Sequence, residues 1–287
     1  MKKLWLALWV CAALLPRAAA LSAAAAVTMD ADTGETLFAE NADSRLPMAS
    51  TTKIMTALVA LGEGGLDRVY TVKKQYAAVE GSSMYLEEGE RLTLRDTLYG
   101  LMLSSGNDAA AAVAGECGGE RAFVDKMNAK ARELGLTDTR FENPSGLPSD
   151  GHYTTARELA KITAAALRDP VFRDIVSTKT CTAAGRTLVN HNRLLSLYED
   201  AIGVKTGFTR AAGRCLVSAA ERNGRTVIAV TLNDPDDWND HIALLDDAFS
   251  RYSEVTLHEK GDTLAQTQVF GGETDRAELV AESTVTA

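Results

Sequence analysis

Cysteine is scarce in this chain, with four in 287 residues. Cys11 sits in the N-terminal apolar run, and Cys117, Cys181 and Cys215 are widely spaced and odd in number. That pattern describes neither a disulfide framework nor a CxxC metal site, so free, buried thiols are expected. Histidine is equally sparse: His152, His191, His241 and His258 show no HExxH or other ligand spacing, and no metal or other cofactor is expected. No dense lysine–arginine run occurs and the formal charge is −9, which removes the basic stripe of a nucleic-acid-binding protein. Nor does the N-terminal apolar run, Leu4 to Leu15, reach the roughly 20 residues of a membrane span before Pro16-Arg17 stops it.

What is present is an ordinary globular composition, 46% hydrophobic and 24% charged, enough to bury a substantial core. Lys2 and Lys3, the apolar run and the small residues of "RAAALSAAAA" read as a signal peptide over 1–21, an uncleaved anchor being the alternative. Export follows, to an extracytoplasmic, cell-wall or periplasmic space. Residues 22–250 read as one α+β domain. "AAAVTMDADTGETLFAEN" predicts a hairpin, and "RCLVSAAERNGRTVIAVTL" a second one around Asn223-Gly224. Between them lie helices over 50–62 and 93–105, then "DAAAAVAGE", "ERAFVDKMNAKARELG" and "TTARELAKITAAALRD"; another follows in "DPDDWNDHIALLDDAFSRY". The expected architecture is an antiparallel sheet of N- and C-terminal strands with a central helical block. Residues 251–287 read as short strands with glycine turns, an incomplete β-rich segment too small for a core of its own. The acids at 234–240 lack EF-hand spacing and read as helix caps and dipole partners.

The chemistry begins in "PMASTTKIMTAL". At 100° per residue Ser50 and Lys53 lie about 60° apart on one helix face. Ile54, Ala57, Leu58 and Leu61 share it, while Thr52 and Thr56 are expected to point away. Burial lowers a lysine's pKa and would make it a base for the neighbouring hydroxyl. A capping serine beside a snorkelling lysine explains the same spacing. Ser105-Gly106-Asn107, a polar break between two helices, and Lys205-Thr206-Gly207, placed just before the second strand pair, complete an ordered set S-x-x-K, S-x-N, K-T-G. Sets of this kind mark penicillin-binding proteins and class A β-lactamases.

Through "ASTTKIMTAL", "LMLSSGNDAA", "NPSGLPSDGHYTTARELA" and "GVKTGFTRAAGRCLVSA" the chain resembles the low-molecular-weight penicillin-binding proteins that act as serine D-alanyl-D-alanine carboxypeptidases, from about residue 24 to 250. The resemblance implies a β-lactamase/D,D-peptidase-like domain. It makes Ser50 the nucleophile, Lys53 its base and Ser105 a proton relay. Asn107 would hold the acyl side-chain amide, and Lys205 and Thr206 the terminal carboxylate. With Gly207 completing that motif, the backbone N–H groups of Ser50 and Phe208 would form an oxyanion hole. The implied partners are peptidoglycan stem peptides ending in D-Ala-D-Ala, with β-lactam antibiotics as inhibitors. "NHNRLL" resembles a segment that lines the cleft, with no catalytic role for His191. Arg210 is expected to be merely solvated. The terminal "AESTVTA" has neither the length nor the basic face of a membrane helix, which leaves membrane attachment doubtful. No E-x-x-L-N element follows S-G-N, and Glu142 is the nearest acid in order. A carboxypeptidase is therefore expected ahead of a β-lactamase, a D,D-endopeptidase or a non-catalytic wall-binding protein on the same scaffold.

Overall fold

A computed structural model describes residues 21–252, 256–270 and 276–286; apart from Leu21, the expected signal peptide lies outside the described residues. Five antiparallel strands form the central sheet: β1 (Ala25–Asp30), β2 (Thr36–Glu40), β3 (Ala201–Thr209), β4 (Gly213–Arg222) and β5 (Arg225–Leu232). Their spatial order is β2-β1-β5-β4-β3, so the N-terminal hairpin pairs with the C-terminal strands as expected, and β3 is an edge. Both turns have local causes. The Asp30 carboxylate accepts the N–H groups of Asp32 and Thr33. Asn223 and Gly224 both adopt positive φ, at 53° and 82°, as a two-residue turn matching the strand twist requires.

Side chains alternate across the sheet. Val27, Met29, Val217, Ala219, Ile228 and Val230 face one core, while Ala26, Leu216, Ala220, Val227 and Ala229 face the other with Leu244, Leu245 and Ala248. The first core holds the helical block: α1 (Lys53–Glu63), α2 (Leu94–Leu103), α3 (Asn107–Glu116), α4 (Glu120–Glu133), α5 (Ala156–Leu167) and α6 (Pro170–Ser177). The second is closed by α7 (Asp237–Arg251). A capping box of Thr93 and Asp96 starts α2. Asp169 caps α6 with Pro170 in its first turn, a helix that follows the one expected over 154–169.

One expectation is extended and one corrected. Lys205-Thr206-Gly207 precedes the β4–β5 pair as expected, but it lies in a strand of its own, β3; the two glycines of β3 weaken the β signal, and pairing with β4 supplies what propensity lacks. Thr52 and Thr56 are buried, not turned outward, because α1 is covered on nearly every side. Its polar groups are satisfied internally: Thr56 Oγ1 donates to the Pro144 carbonyl at 2.7 Å. Cys117 and Cys215 are buried free thiols, and Cys181 is a partly exposed one. Beyond α7, Thr256–His258 pairs with Val285–Thr286 and Thr263–Gln268 with Arg276–Val280. Among the described residues no helix is long and apolar enough to cross a membrane.

Candidate active site

The turn that carries Ser50 is a single 3-10 turn, Ala49–Thr52, leading directly into α1. It is held from two sides. Strand β3 passes so closely that a Cβ on Gly207 would lie 3.1 Å from both Ser50 N and the Met48 carbonyl. On the other side Gly146, at φ +89°, packs its backbone against the Ala49 carbonyl, which a Cβ there would meet at 1.9 Å. Glycine is required at the second approach, and at the first a side chain would have to push backbone atoms a few tenths of an ångström aside.

Lys53 is fully buried. Its Nζ lies 3.0 Å from Ser50 Oγ, 2.8 Å from Asn107 Oδ1 and 2.6 Å from the Ser145 carbonyl. The Asn107 amide is oriented by Nδ2, which donates to the Glu80 carbonyl at 2.7 Å, so Oδ1 faces the lysine. Both Oδ1 and the Ser145 carbonyl can only accept. A neutral lysine amine has two hydrogens, and these two acceptors take them, which leaves its lone pair for the Ser50 hydroxyl. Burial drives the Lys53 pKa well below its ordinary value, the nearby Lys205 charge adds to the shift, and Asp108 opposes it. Lys205 is also buried, which lowers it to about 7; its Nζ donates to the Thr206 carbonyl at 3.1 Å.

Ser105 stands between α2 and α3 at φ 58°, a strained conformation for a non-glycine residue. Asp108 anchors the neighbouring loop by accepting from Met84 N, Leu86 N and Ser83 Oγ. Ser50, Ser82, Ser105, Thr206, Gly207 and Phe208 line one cleft of about 300 Å³. His191 lines it too, its pKa lowered by partial burial and then by the Lys205 charge.

Sequence patterns did not single out the far wall. Arg214 is the cross-strand partner of Phe208 and lines the cleft with Asp237 and Trp238 from the start of α7. Its guanidinium donates to Asp237 Oδ1 at 2.7 Å and stands 5.7 Å from the Trp238 ring centre. Asp237 is thus an ion-pair partner more than a helix cap. Arginine and tryptophan carry no motif here; the one signal was the glycine directly before Arg214, Gly213, which opens β4 at φ 67°. Arg210 is not among the cleft-lining residues. Glu142 is occupied elsewhere, accepting from Ser149 and Gly151 and pairing with Arg140.

His152 connects the long loop to the turn that carries Ser50. Its Nδ1 accepts the Glu142 N–H at 3.0 Å, so the ring proton sits on Nε2 and is donated to Thr52 Oγ1 at 2.8 Å. That hydroxyl donates onward to the Ala49 carbonyl at 2.8 Å. Burial lowers His152 to about 4, and it lowers His241, held between Ser218 and Thr231, to about 3. An unfolded histidine takes up a proton near pH 6.5 that these two refuse until far lower. Their contribution is complete above about pH 6.5 and is lost on acidification towards pH 3–4, at most on the order of 3–5 kcal/mol each. Asp234, pushed up to about 6 chiefly by burial, opposes part of this loss. NMR titration should therefore find two histidine rings, assigned as 152 and 241 by substitution, that stay neutral at pH 5. Midpoints near 6.5 for both would refute the arrangement.

Among known proteins, the family model described as D-alanyl-D-alanine carboxypeptidase, peptidase S11, matches residues 13–236. The chain belongs to that family. A D-alanyl-D-alanine carboxypeptidase of Bacillus subtilis is 37% identical over 278 residues, covering 92% of this chain and 71% of that protein. One from Streptomyces sp. strain K15 is 40% identical over 235 residues, 74% of this chain and 81% of the relative. The crystal structure of the Streptomyces K15 DD-transpeptidase matches with a TM-score of 0.77 at 37% identity, over 82% of this chain and 99% of that one. A D-alanyl-D-alanine endopeptidase of Pseudomonas aeruginosa is 36% identical over 76% of this chain and 74% of its own length. The α+β D,D-peptidase fold and the serine-type carboxypeptidase assignment expected of the S11 motifs both stand.

Proposed function

We propose that this S11 enzyme removes the terminal D-alanine from peptidoglycan pentapeptide stems through an acyl-enzyme on Ser50. The observation that carries this reading is the Lys53 amine, buried, donating to two obligate acceptors and set 3.0 Å from Ser50 Oγ. Ser50 Oγ attacks the carbonyl carbon of the penultimate D-alanine while its proton passes to Lys53 Nζ. The N–H groups of Ser50 and Phe208 receive the oxyanion. Collapse breaks the C–N bond, and the departing amine takes the proton through Ser105. Water then hydrolyses the ester, restoring Ser50. Asn107 positions Lys53 and offers its remaining amide hydrogen to the acyl chain. Lys205, Thr206 and Arg214 receive the terminal carboxylate, with Arg214 supplying the charge that no change of pH removes.

Penicillins would acylate the same serine. Among the described residues lining the cleft the carboxylate is Asp237, already paired with Arg214, so no free base stands ready to activate water against a β-lactam ester. This supports slow deacylation and favours a carboxypeptidase over a β-lactamase. A stem-trimming enzyme works where peptidoglycan is, which agrees with the export expected from residues 1–21.

Purified protein should hold a fluorescent penicillin and release D-alanine from diacetyl-Lys-D-Ala-D-Ala, and Ser50→Ala should abolish both. Rapid penicillin turnover would indicate a β-lactamase. Labelling that survives Ser50→Ala would move the nucleophile elsewhere.

A further inference from the structure

The loop packed against Ser105-Gly106-Asn107 holds one residue in an unusual state. Tyr85 has φ 63°, where a bulky L side chain is a genuine outlier. It is also 78% exposed, more than any other large apolar side chain described over 21–252, while its neighbours Met84 and Leu86 are buried. The conformation has a cause in Asp108, buried in the first turn of α3. Its carboxylate accepts the N–H groups of both Met84 and Leu86 at 3.0 Å. Two amides converging on one anion curl the chain around it, which turns the residue between them outward. The turn is pinned from outside as well. Arg186 Nη2 donates to the Tyr85 carbonyl at 2.6 Å, and the Tyr85 N–H donates to Ser83 Oγ at 2.8 Å.

These bonds explain why the loop is rigid, but not why a tyrosine occupies its tip. Glycine or asparagine would take this φ with less strain, and a ring so exposed gains little burial in return. Backbone strain of this kind is kept at ligand clamps, and the position fits one. The Asn107 N–H donates to the Ser82 carbonyl at 2.7 Å, and a Cβ on Gly106 would lie 3.1 Å from Met84 N. Ser82 itself lines the cleft. Tyr85 is the next residue along, about 3.8 Å of chain from that contact, which sets its ring at the rim beside Asn107. We propose that Tyr85 determines specificity on the acyl side of the substrate, its ring serving as a platform for the side chain of the stem residue before D-Ala-D-Ala. The inference rests on the reading of Ser50 and Asn107 given above. An aromatic face covers methylenes and needs no charged partner, so a long aliphatic side chain is favoured over none.

The test is steady-state release of D-alanine by the full chain from two donors, diacetyl-Lys-D-Ala-D-Ala and acetyl-Gly-D-Ala-D-Ala. The unsubstituted protein should favour the lysine donor about tenfold in kcat/KM, the worth of a few partly covered methylenes. Tyr85→Asn removes the ring but tolerates the same backbone conformation, so it should bring that ratio near one without lowering the melting temperature. Tyr85→Phe should keep the ratio. A ratio near one in the unsubstituted protein, or an undiminished ratio in Tyr85→Asn, would show that the ring meets no substrate and would overturn the proposal. So would an equal fall on both donors, which would make Tyr85 only a shaper of the loop around Asn107. Loss of the ratio in Tyr85→Phe would assign the preference to the hydroxyl and likewise overturn the platform. Failure of the Ser50 reading looks different: neither donor would release D-alanine and penicillin would not label the unsubstituted protein, and the platform would fall with it.

Discussion

Lys53→Met should slow acylation of Ser50 by fluorescent penicillin about 10²–10⁴-fold, the usual worth of a positioned general base. Methionine has nearly the same length and fills the same buried channel, so the packing around α1 survives. Two effects on stability oppose each other. The variant no longer buries an ionisable group, which favours folding. It also leaves Asn107 Oδ1 and the Ser145 carbonyl without their donor, at about 1–3 kcal/mol each. Loss of acylation with only a modest change in melting temperature therefore separates chemistry from folding.

The pH profile carries the sharper test. To act as the proposed base Lys53 must be neutral, and burial holds it well below the ordinary lysine range. Acylation by the free enzyme should rise with pH as that proton is lost, then fall as Lys205, lowered to about 7, gives up the charge that attracts the carboxylate. Two neighbouring lysines are pushed apart in role, one an amine and the other an ammonium. In Lys53→Met the rising limb should vanish while the falling limb stays. A variant that retained the rising limb would show that another group takes the Ser50 proton.

The parts of this site legible in the sequence are those built within a few residues. Ser50 and Lys53 are three positions apart, and Asn223-Gly224 fixes a hairpin by its own backbone preferences. The paired terminal strands were legible because β-rich segments at both ends of a helical block leave few ways to close a sheet. What stayed hidden joins residues far apart in the chain. Ser145 lies 92 positions from Lys53, and Arg214 meets Asp237 across 23. The outward turn expected of Thr52 and Thr56 failed for a related reason. A helical wheel ranks faces by polarity, but it does not register that the long loop would cover the threonine face with carbonyl acceptors such as that of Pro144.

That loop is where the second large effect is expected. Gly146→Ala should destabilise the protein by several kcal/mol and remove most acylation activity together. Two causes combine at this position. The residue sits at φ +89°, where an L side chain is strained. Its new Cβ would also fall 1.9 Å from the Ala49 carbonyl and 2.9 Å from Thr52 Oγ1. The nearer obstacle is backbone and cannot rotate aside, so the loop must lift from the nucleophile turn. Lifting it withdraws the Ser145 carbonyl from Lys53 and breaks the chain from His152 through Thr52 to Ala49. A loss near 3 kcal/mol corresponds to a fall of about 6–12 °C in melting temperature for a domain of this size. Gly151→Ala makes the useful comparison in the same loop. There the added Cβ would meet the Glu142 carboxylate at 2.1 Å, the end of a side chain that can swing away, so a smaller loss of stability and largely retained acylation are expected. Equal effects from the two substitutions, measured by calorimetry and penicillin labelling, would show that the loop acts only as a lid over the core. A selective loss at Gly146 places the loop among the groups that hold the Ser50–Lys53 pair in register.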